Sequence, residues 1–327
     1  MTAPDYLDAR AVERRLPFPE LIDALAGAFA AAADGSAPVE TPPRFHGDPG
    51  AVSAKAEQRD LLVMPAWTPG GAAGVKLVTL FEHNGRRHRP RIQGLYVLFH
   101  PEHGAPVALL DAAALTARRT AAASALAAGR LAREDARELL VIGTGRLARA
   151  LPRAYACVRR LERVRIWGRR TEAVDQTVAD VAAALPRVDV DAVDDLERAV
   201  GHADVITSAV PSLEPLVFGA WLRPGQHLDL IGSYRPTMHE ADAECLRRAT
   251  LFVDTHAGVL SEAGEFIAAL EDGTITVDDL IADLGALCAG RHPGRTSPTE
   301  LTLFKSVGTA LEDLAAARLA LRTAETR

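Results

Sequence analysis

Residues Glu138 to Ala150, ELLVIGTGRLARA, constrain the fold more than any other stretch of this chain. The apolar run Leu139-Leu140-Val141-Ile142 has the composition of a buried parallel strand. It ends in Gly143-Thr144-Gly145-Arg146-Leu147-Ala148, which continues into a helical pattern. Strand, G-x-G-x-x-A turn and helix in that order make a dinucleotide-binding βα unit. Gly143 permits the tight turn, Gly145 lets a pyrophosphate approach the backbone, and Ala148 lets the helix pack closely on the strand. The helix N-terminus then faces the phosphates. Gly143, Thr144, Gly145, Arg146, Leu147 and Ala148 are the first candidate cofactor residues.

Downstream, strands and helices alternate as a doubly wound parallel sheet requires. Arg163 to Trp167 is the second strand, followed at once by Gly168-Arg169-Arg170-Thr171. A fold that prefers NADH places an acidic residue near this point to hold both ribose hydroxyls. Two arginines there instead match a 2′-phosphate, which guanidinium forks bind bidentately and an acid would repel. The expected cofactor is NADPH, with NADH possible, and Arg169 and Arg170 join the cofactor candidates. Further strands are expected at Val188 to Val193, Ala203 to Val210, Gln226 to Gly232 and Leu251 to Asp254. Ligands bind at the carboxyl ends of such strands, which adds Ser208, Val210 and Ser233.

Upstream, Pro19 to Ala33 has the spacing of an amphipathic helix, and the Pro- and Gly-rich segment Gly35 to Gly50 reads as a loop that carries Arg44. Leu61 to Met64, Gly74 to Phe81, Arg91 to Phe99 and Val107 to Leu110 read as an antiparallel meander, with Asn84-Gly85 as a hairpin signal. Lys76 lies inside an otherwise apolar strand, where it either snorkels to the edge or points at something anionic. Asp111 to Arg133 is one long Ala-rich helix containing Arg118 and Arg119, which point about 100 degrees apart, so that at most one faces a given site. Thr299 to Arg322 reads as a helix returning to the first domain. The expected architecture is α/β: a Rossmann doubly wound sheet over 118–303, inserted into a discontinuous α+β substrate-binding and dimerisation domain made of 1–117 and 304–327.

At 327 residues the chain can build two such domains, and 48% hydrophobic with 24% charged residues is ordinary globular composition. A net charge of −6 gives no reason to expect nucleic acid or an anionic membrane surface as a partner. Cys157, Cys245 and Cys288 are odd in number, far apart and without C-x-x-C spacing, so neither a disulfide framework nor a metal site is expected. They read as buried small residues in a reducing compartment. A charged N-terminus and no long apolar run point to a cytoplasmic location.

Several stretches together resemble the ornithine cyclodeaminase/μ-crystallin family of Rossmann proteins. They are LLVMPAW (Leu61 to Trp67), GVKLVTLF, ALTARRTAAASALAA (Ala114 to Ala128), VIGTGRLAR, IGSYRPTMHEAD (Ile231 to Asp242), FVDTHAGVLSEAGE and TLFKSVGTALEDLA (Thr302 to Ala315). The resemblance implies a homodimer with a barrel-like dimerisation domain and a site in the cleft between the domains. It also implies a substrate carboxylate held by Arg44, Lys76 and Arg119, with Arg118 structural. Ser306 and Gly308 join the cofactor candidates. Where cyclodeaminases have an aspartate that handles the substrate amine, this chain has Tyr234, in Gly232-Ser233-Tyr234. That pattern is similar to the branch that reduces cyclic ketimines such as Δ1-pyrroline-2-carboxylate and Δ1-piperideine-2-carboxylate to proline and pipecolate. For the proton the imine must gain, Lys76 with water is the first candidate, followed by Tyr234 and Glu262. The alternatives on the same scaffold are an alanine-type or opine-like amino-acid dehydrogenase, a cyclodeaminase, and a non-catalytic NADPH-dependent binding protein.

Overall fold

The computed structural model of the protein describes residues 4–41, 45–47, 59–81, 84 and 89–325. The chain forms two compact units, one of Met1–Arg119 with Thr309–Arg327 and the other of Thr120–Gly308.

The first unit is built on six strands: β1 (Asp5–Leu7), β2 (Phe45–Gly47), β3 (Arg59–Trp67), β4 (Ala73–Phe81), β5 (Ile92–Phe99) and β6 (Pro106–Asp111). Their order is β1-β6-β5-β4-β3-β2, antiparallel throughout except that β1 runs parallel to β6. Period-two alternation sorts β4 cleanly: Gly74, Lys76, Val78 and Leu80 are buried, while Leu77 between them is exposed. Helices α1 (Ala9–Arg15), α2 (Phe18–Asp34) and α11 (Ala310–Glu325) complete this unit, and α3 (Ala112–Leu131) begins in it. Asp8 accepts a hydrogen bond from the Ala11 amide at 2.7 Å to cap α1, and Gly35, at φ 76°, ends α2 in the left-handed conformation. Helix α11 packs against α2 and against β3, β4 and β5.

The second unit holds eight parallel strands: β7 (Glu138–Ile142), β8 (Arg163–Trp167), β9 (Asp189–Ala192), β10 (Val205–Ser208), β11 (His227–Leu230), β12 (Thr250–Val253), β13 (Leu280–Asp283) and β14 (Thr302–Lys305). The order is β13-β12-β14-β11-β10-β7-β8-β9. Every residue of β10, β11 and β14 is buried, as a parallel sheet covered on both faces demands. The helices are α4 (Arg146–Tyr155), α5 (Thr171–Ala184), α6 (Leu196–His202), α7 (Ala243–Arg248), α8 (His256–Glu262), α9 (Gly264–Glu271) and α10 (Leu284–Cys288). Chain order reverses between β7, which leads outward to β8 and β9, and β10, which lies on its other side. Such a reversal opens a ligand-binding crevice at the strands' carboxyl ends.

Three expectations are corrected. Thr299 to Arg322 is not one helix: Thr302–Lys305 is β14, inserted between β11 and β12, and α11 starts only at Ala310. Gly308, at φ 76°, breaks the chain between them. The segment from Gly35 to Gly50 is not all loop, because Phe45–Gly47 pairs antiparallel with Leu61 to Val63. Of the cysteines only Cys245 is buried; Cys157 is exposed just beyond α4. Among the described residues no single helix is long and apolar enough to cross a membrane.

Candidate functional site

The glycine turn has the geometry its sequence requires. Gly143, at φ 128°, donates its amide to the Trp167 carbonyl at 2.9 Å, and a Cβ there would lie 3.3 Å from the Ala209 carbonyl oxygen. Gly145 caps α4 and is exposed, and a Cβ there would meet nothing within 4 Å. That open backbone at a helix N-terminus fits a dinucleotide pyrophosphate. Thr144 and Leu147 are half-buried, Arg146 is exposed, and Ala148 is fully buried against the strand layer. Arg169 and Arg170 are both exposed at the start of α5, directly after β8, where the second strand of such a unit presents its ribose-recognition residues.

Ser208, Val210 and Ser233 come together around a carboxylate that sequence reasoning did not single out. Glu240 Oε1 accepts from Ser208 Oγ at 2.6 Å and the Val210 amide at 3.2 Å. Its Oε2 accepts from the Gly232 and Ser233 amides at 2.6 and 2.8 Å. One buried side chain therefore ties the ends of β10 and β11. Lys305, on β14, lies 2.9 Å from Glu265 and 3.4 Å from Glu240, and donates to Ser233 Oγ at 2.6 Å; Ser233 in turn donates to Glu265 at 2.7 Å. Burial raises the Glu240 pKa against the pull of Lys305. Burial alone would depress Lys305, but Glu265 and Glu240 hold it above the usual lysine range. Ser306 and Gly308 meet at a second buried carboxylate, Asp254, which accepts from Ser306 Oγ and the Val307 amide, each at 2.9 Å, and from the Gly308 amide at 2.6 Å. Tyr234 follows Ser233 and is half-buried, with the Arg235 guanidinium 5.6 Å from its ring. Glu262 is the last residue of α8 and is also half-buried.

In the first unit the structure brings Lys76 and Arg119 together. Lys76 Nζ lies 2.7 Å from Asp313 Oδ2, Arg119 Nε 3.0 Å from Asp313 Oδ1, and Arg119 Nη1 2.7 Å from Glu312 Oε2. All four side chains are buried. Burial would lower the Arg119 pKa, but Asp313 and Glu312 more than compensate and fix it as a cation. Lys76 arrives from the core face of β4, Arg119 from α3, and both carboxylates from the first turn of α11. Arg118 points elsewhere: its Nε donates to the Leu16 carbonyl at 2.9 Å, and its guanidinium stacks 3.5 Å from the centre of the Phe18 ring. Arg44, the third expected anchor, lies outside the described residues, as do Gly85 and most of its basic neighbours. The signal that could have found Glu312 and Asp313 is a pair of adjacent acids in the predominantly apolar helical stretch TALEDLAAARLAL, whose one other charge is Arg318.

A family model described as the ornithine cyclodeaminase/mu-crystallin family matches residues 3–326. The Δ1-pyrroline-2-carboxylate reductase of Paracoccus denitrificans is 38% identical over 80% of this chain and 85% of its own length. The ketimine reductase mu-crystallin of Mus musculus is 33% identical over 97% of this chain and 96% of its own. Among solved structures, the Thermococcus litoralis Δ1-pyrroline-2-carboxylate reductase in complex with NADH and L-proline superposes with a TM-score of 0.92 at 30% identity, covering 98% of this chain and 97% of that one. The chain belongs to the ornithine cyclodeaminase/mu-crystallin family.

Proposed function

We propose that this chain is an NADPH-dependent imine reductase that converts a cyclic ketimine carboxylate, Δ1-pyrroline-2-carboxylate or Δ1-piperideine-2-carboxylate, to L-proline or L-pipecolate. The observation that carries the reading is the buried pair Lys76 and Arg119, held charged and in place by Asp313 and Glu312. Two buried cations are costly to keep in a protein interior. Held rigid by their own carboxylates, they form a pre-organised receptor for a small anion, and the substrate carboxylate is that anion. Arg44, which lies outside the described residues, enters this reading only through the family resemblance. With the carboxylate fixed, the ring carbon that bears it is fixed as well, which supplies the orientational part of catalysis.

The dinucleotide, when bound, supplies the hydride that the imine carbon accepts. Gly143 to Ala148 would hold its pyrophosphate, and Arg169 and Arg170 would hold its 2′-phosphate. The imine nitrogen must gain a proton for the carbon to accept hydride, and Lys76 acting with a water is the first candidate donor, ahead of Tyr234 and Glu262. No carboxylate stands at Tyr234 to handle an amine leaving group, which favours reduction over cyclodeamination. The outer face of the six-stranded sheet supports a homodimer. Tyr6, Leu109, Val97, Val75 and Pro65 form one cross-strand apolar row and Leu95, Leu77 and Val63 a second, and a second copy of the chain would cover both.

The test is consumption of NADPH with each ketimine, repeated with NADH. Rapid stoichiometric oxidation with NADPH preferred supports the reading. Binding of NADPH without oxidation in the presence of either imine would overturn it.

A further inference from the structure

The carboxylate receptor contains a group without a known role. Tyr96 stands directly opposite Lys76 in the β4–β5 register and shares its buried face. The whole residue is inaccessible to solvent, yet its hydroxyl has no hydrogen-bond partner among the described residues. A buried phenol normally finds one, because leaving it unpaired costs much of the desolvation free energy of the group. Its position is fixed by the backbone: the hydroxyl lies over Gly74, where any Cβ would come within 2.1 Å of it, so glycine two residues before Lys76 is what makes room for it. The Asp313 carboxylate, which also holds Lys76 and Arg119, is near enough to reinforce the burial that pushes the Tyr96 hydroxyl well above its ordinary pKa. Tyr96 therefore stays a neutral O–H donor, on the same buried face of the sheet as Lys76 and close enough to Asp313 to feel its charge.

From this geometry we infer that Tyr96 is a ligand-contacting residue of the Lys76–Arg119 site, and that its hydroxyl donates a hydrogen bond to the carboxylate of the bound imino acid. The assignment rests on the reading of that site as a carboxylate receptor. It adds a neutral donor to the charged ones, and neutral donors sharpen discrimination between a ligand that accepts a hydrogen bond and an isostere that does not.

The experiment compares the wild-type protein with Tyr96→Phe, which keeps the ring over Gly74 and removes only the hydroxyl. It measures KM and kcat with Δ1-piperideine-2-carboxylate, the affinity for pyrrole-2-carboxylate as a planar non-reacting probe, the affinity for NADPH, and the melting temperature of the ligand-free protein. The expected result is a KM raised and a probe affinity lowered about tenfold, as for one hydrogen bond to a charged group. NADPH affinity should be unchanged, and the melting temperature unchanged or higher because an unpaired group has been removed. Unaltered KM and probe affinity in an enzyme that turns over would overturn the Tyr96 assignment alone. So would a lowered melting temperature, because it would show the hydroxyl bonded within the ligand-free protein. A wild-type protein that binds NADPH but neither reduces the imine nor binds the probe would overturn the receptor reading, and the assignment with it.

Discussion

At the scale of single residues, the Lys76–Asp313–Arg119–Glu312 cluster couples stability to function. Its charges balance only as a set, so removing one cation leaves a buried carboxylate undercompensated. Arg119→Ala is expected to destabilise the protein by about 3 kcal/mol, and to lower kcat/KM for the ketimine by a further factor of about 30, from loss of one charged hydrogen-bonding partner. Denaturant melts and steady-state kinetics on the same variant check both. A second residue sets an acid limit. His227 is buried, its Nδ1 sits 2.9 Å from Thr302 Oγ1, and burial, with the Arg295 and Arg159 guanidiniums, pushes its pKa down from 6.5 to about 3. The unfolded chain takes up this proton as pH falls below about 6.5, while the folded chain refuses it until about 3. The stability His227 contributes is thus complete above 6.5 and is lost on acidification through that window. Asp229 has the opposite sign: burial raises it from 3.8 to about 6, so its unfavourable contribution is relieved as pH falls through 6. His227→Gln should flatten the decline of melting temperature between neutral pH and pH about 4, and a decline as steep as wild type would contradict the assignment. Lys76 stood out in the sequence as an odd lysine in a strand, whereas Arg118 and Arg119 appeared only as a charged interruption of an alanine helix, and the family resemblance chose Arg119 between them. The counter-ions Glu312 and Asp313 did not stand out, because adjacent acids in a helix ordinarily face solvent, and only the burial of α11 turns them inward.

At the scale of elements, β14 is the piece the sequence concealed. Four residues are too short for a period to show, and Thr302 to Lys305 joins smoothly to the helical spacing that follows. Its place between β11 and β12 brings Lys305 to the carboxyl ends of the sheet beside Glu240 and Glu265. The βα turn after β7, by contrast, was fully legible, because its glycines are demanded by φ at Gly143 and open space at Gly145. Glu240 is the brace between the two loops. It accepts from three backbone amides and Ser208 Oγ, none of which has an equivalent acceptor if the side chain is truncated. Glu240→Ala should cost about 3 kcal/mol and weaken NADPH binding, measured by fluorescence titration, while leaving the Lys76 site able to bind a small carboxylate. Unchanged NADPH affinity would show that the β10 and β11 loops hold their shape without the brace.

At the scale of the whole molecule, the six-stranded sheet has one face covered by helices and one that remains apolar. Leu77 and Leu95, directly opposite each other, are 40% and 38% exposed, and Tyr6 is 60% exposed. The alternation along β4 and β5 made the meander legible, but it did not show which apolar face was left uncovered, since both faces read as hydrophobic. If the proposed homodimer forms through this face, replacing Leu77 and Leu95 together by glutamate should leave monomers in light-scattering measurements; a dimer that survives would place the subunit interface elsewhere. The proposed activity depends on recognition of the imine through its carboxylate. The most direct measurement is therefore NADPH consumption by the wild-type protein with Δ1-piperideine-2-carboxylate and with the same ring lacking the carboxylate. The carboxylated imine should be reduced at least about a hundredfold more efficiently, because the ring without the carboxylate lacks the group through which Lys76 and Arg119, set in place by Asp313 and Glu312, would position the imine carbon. Equal rates on the two rings would contradict the claim.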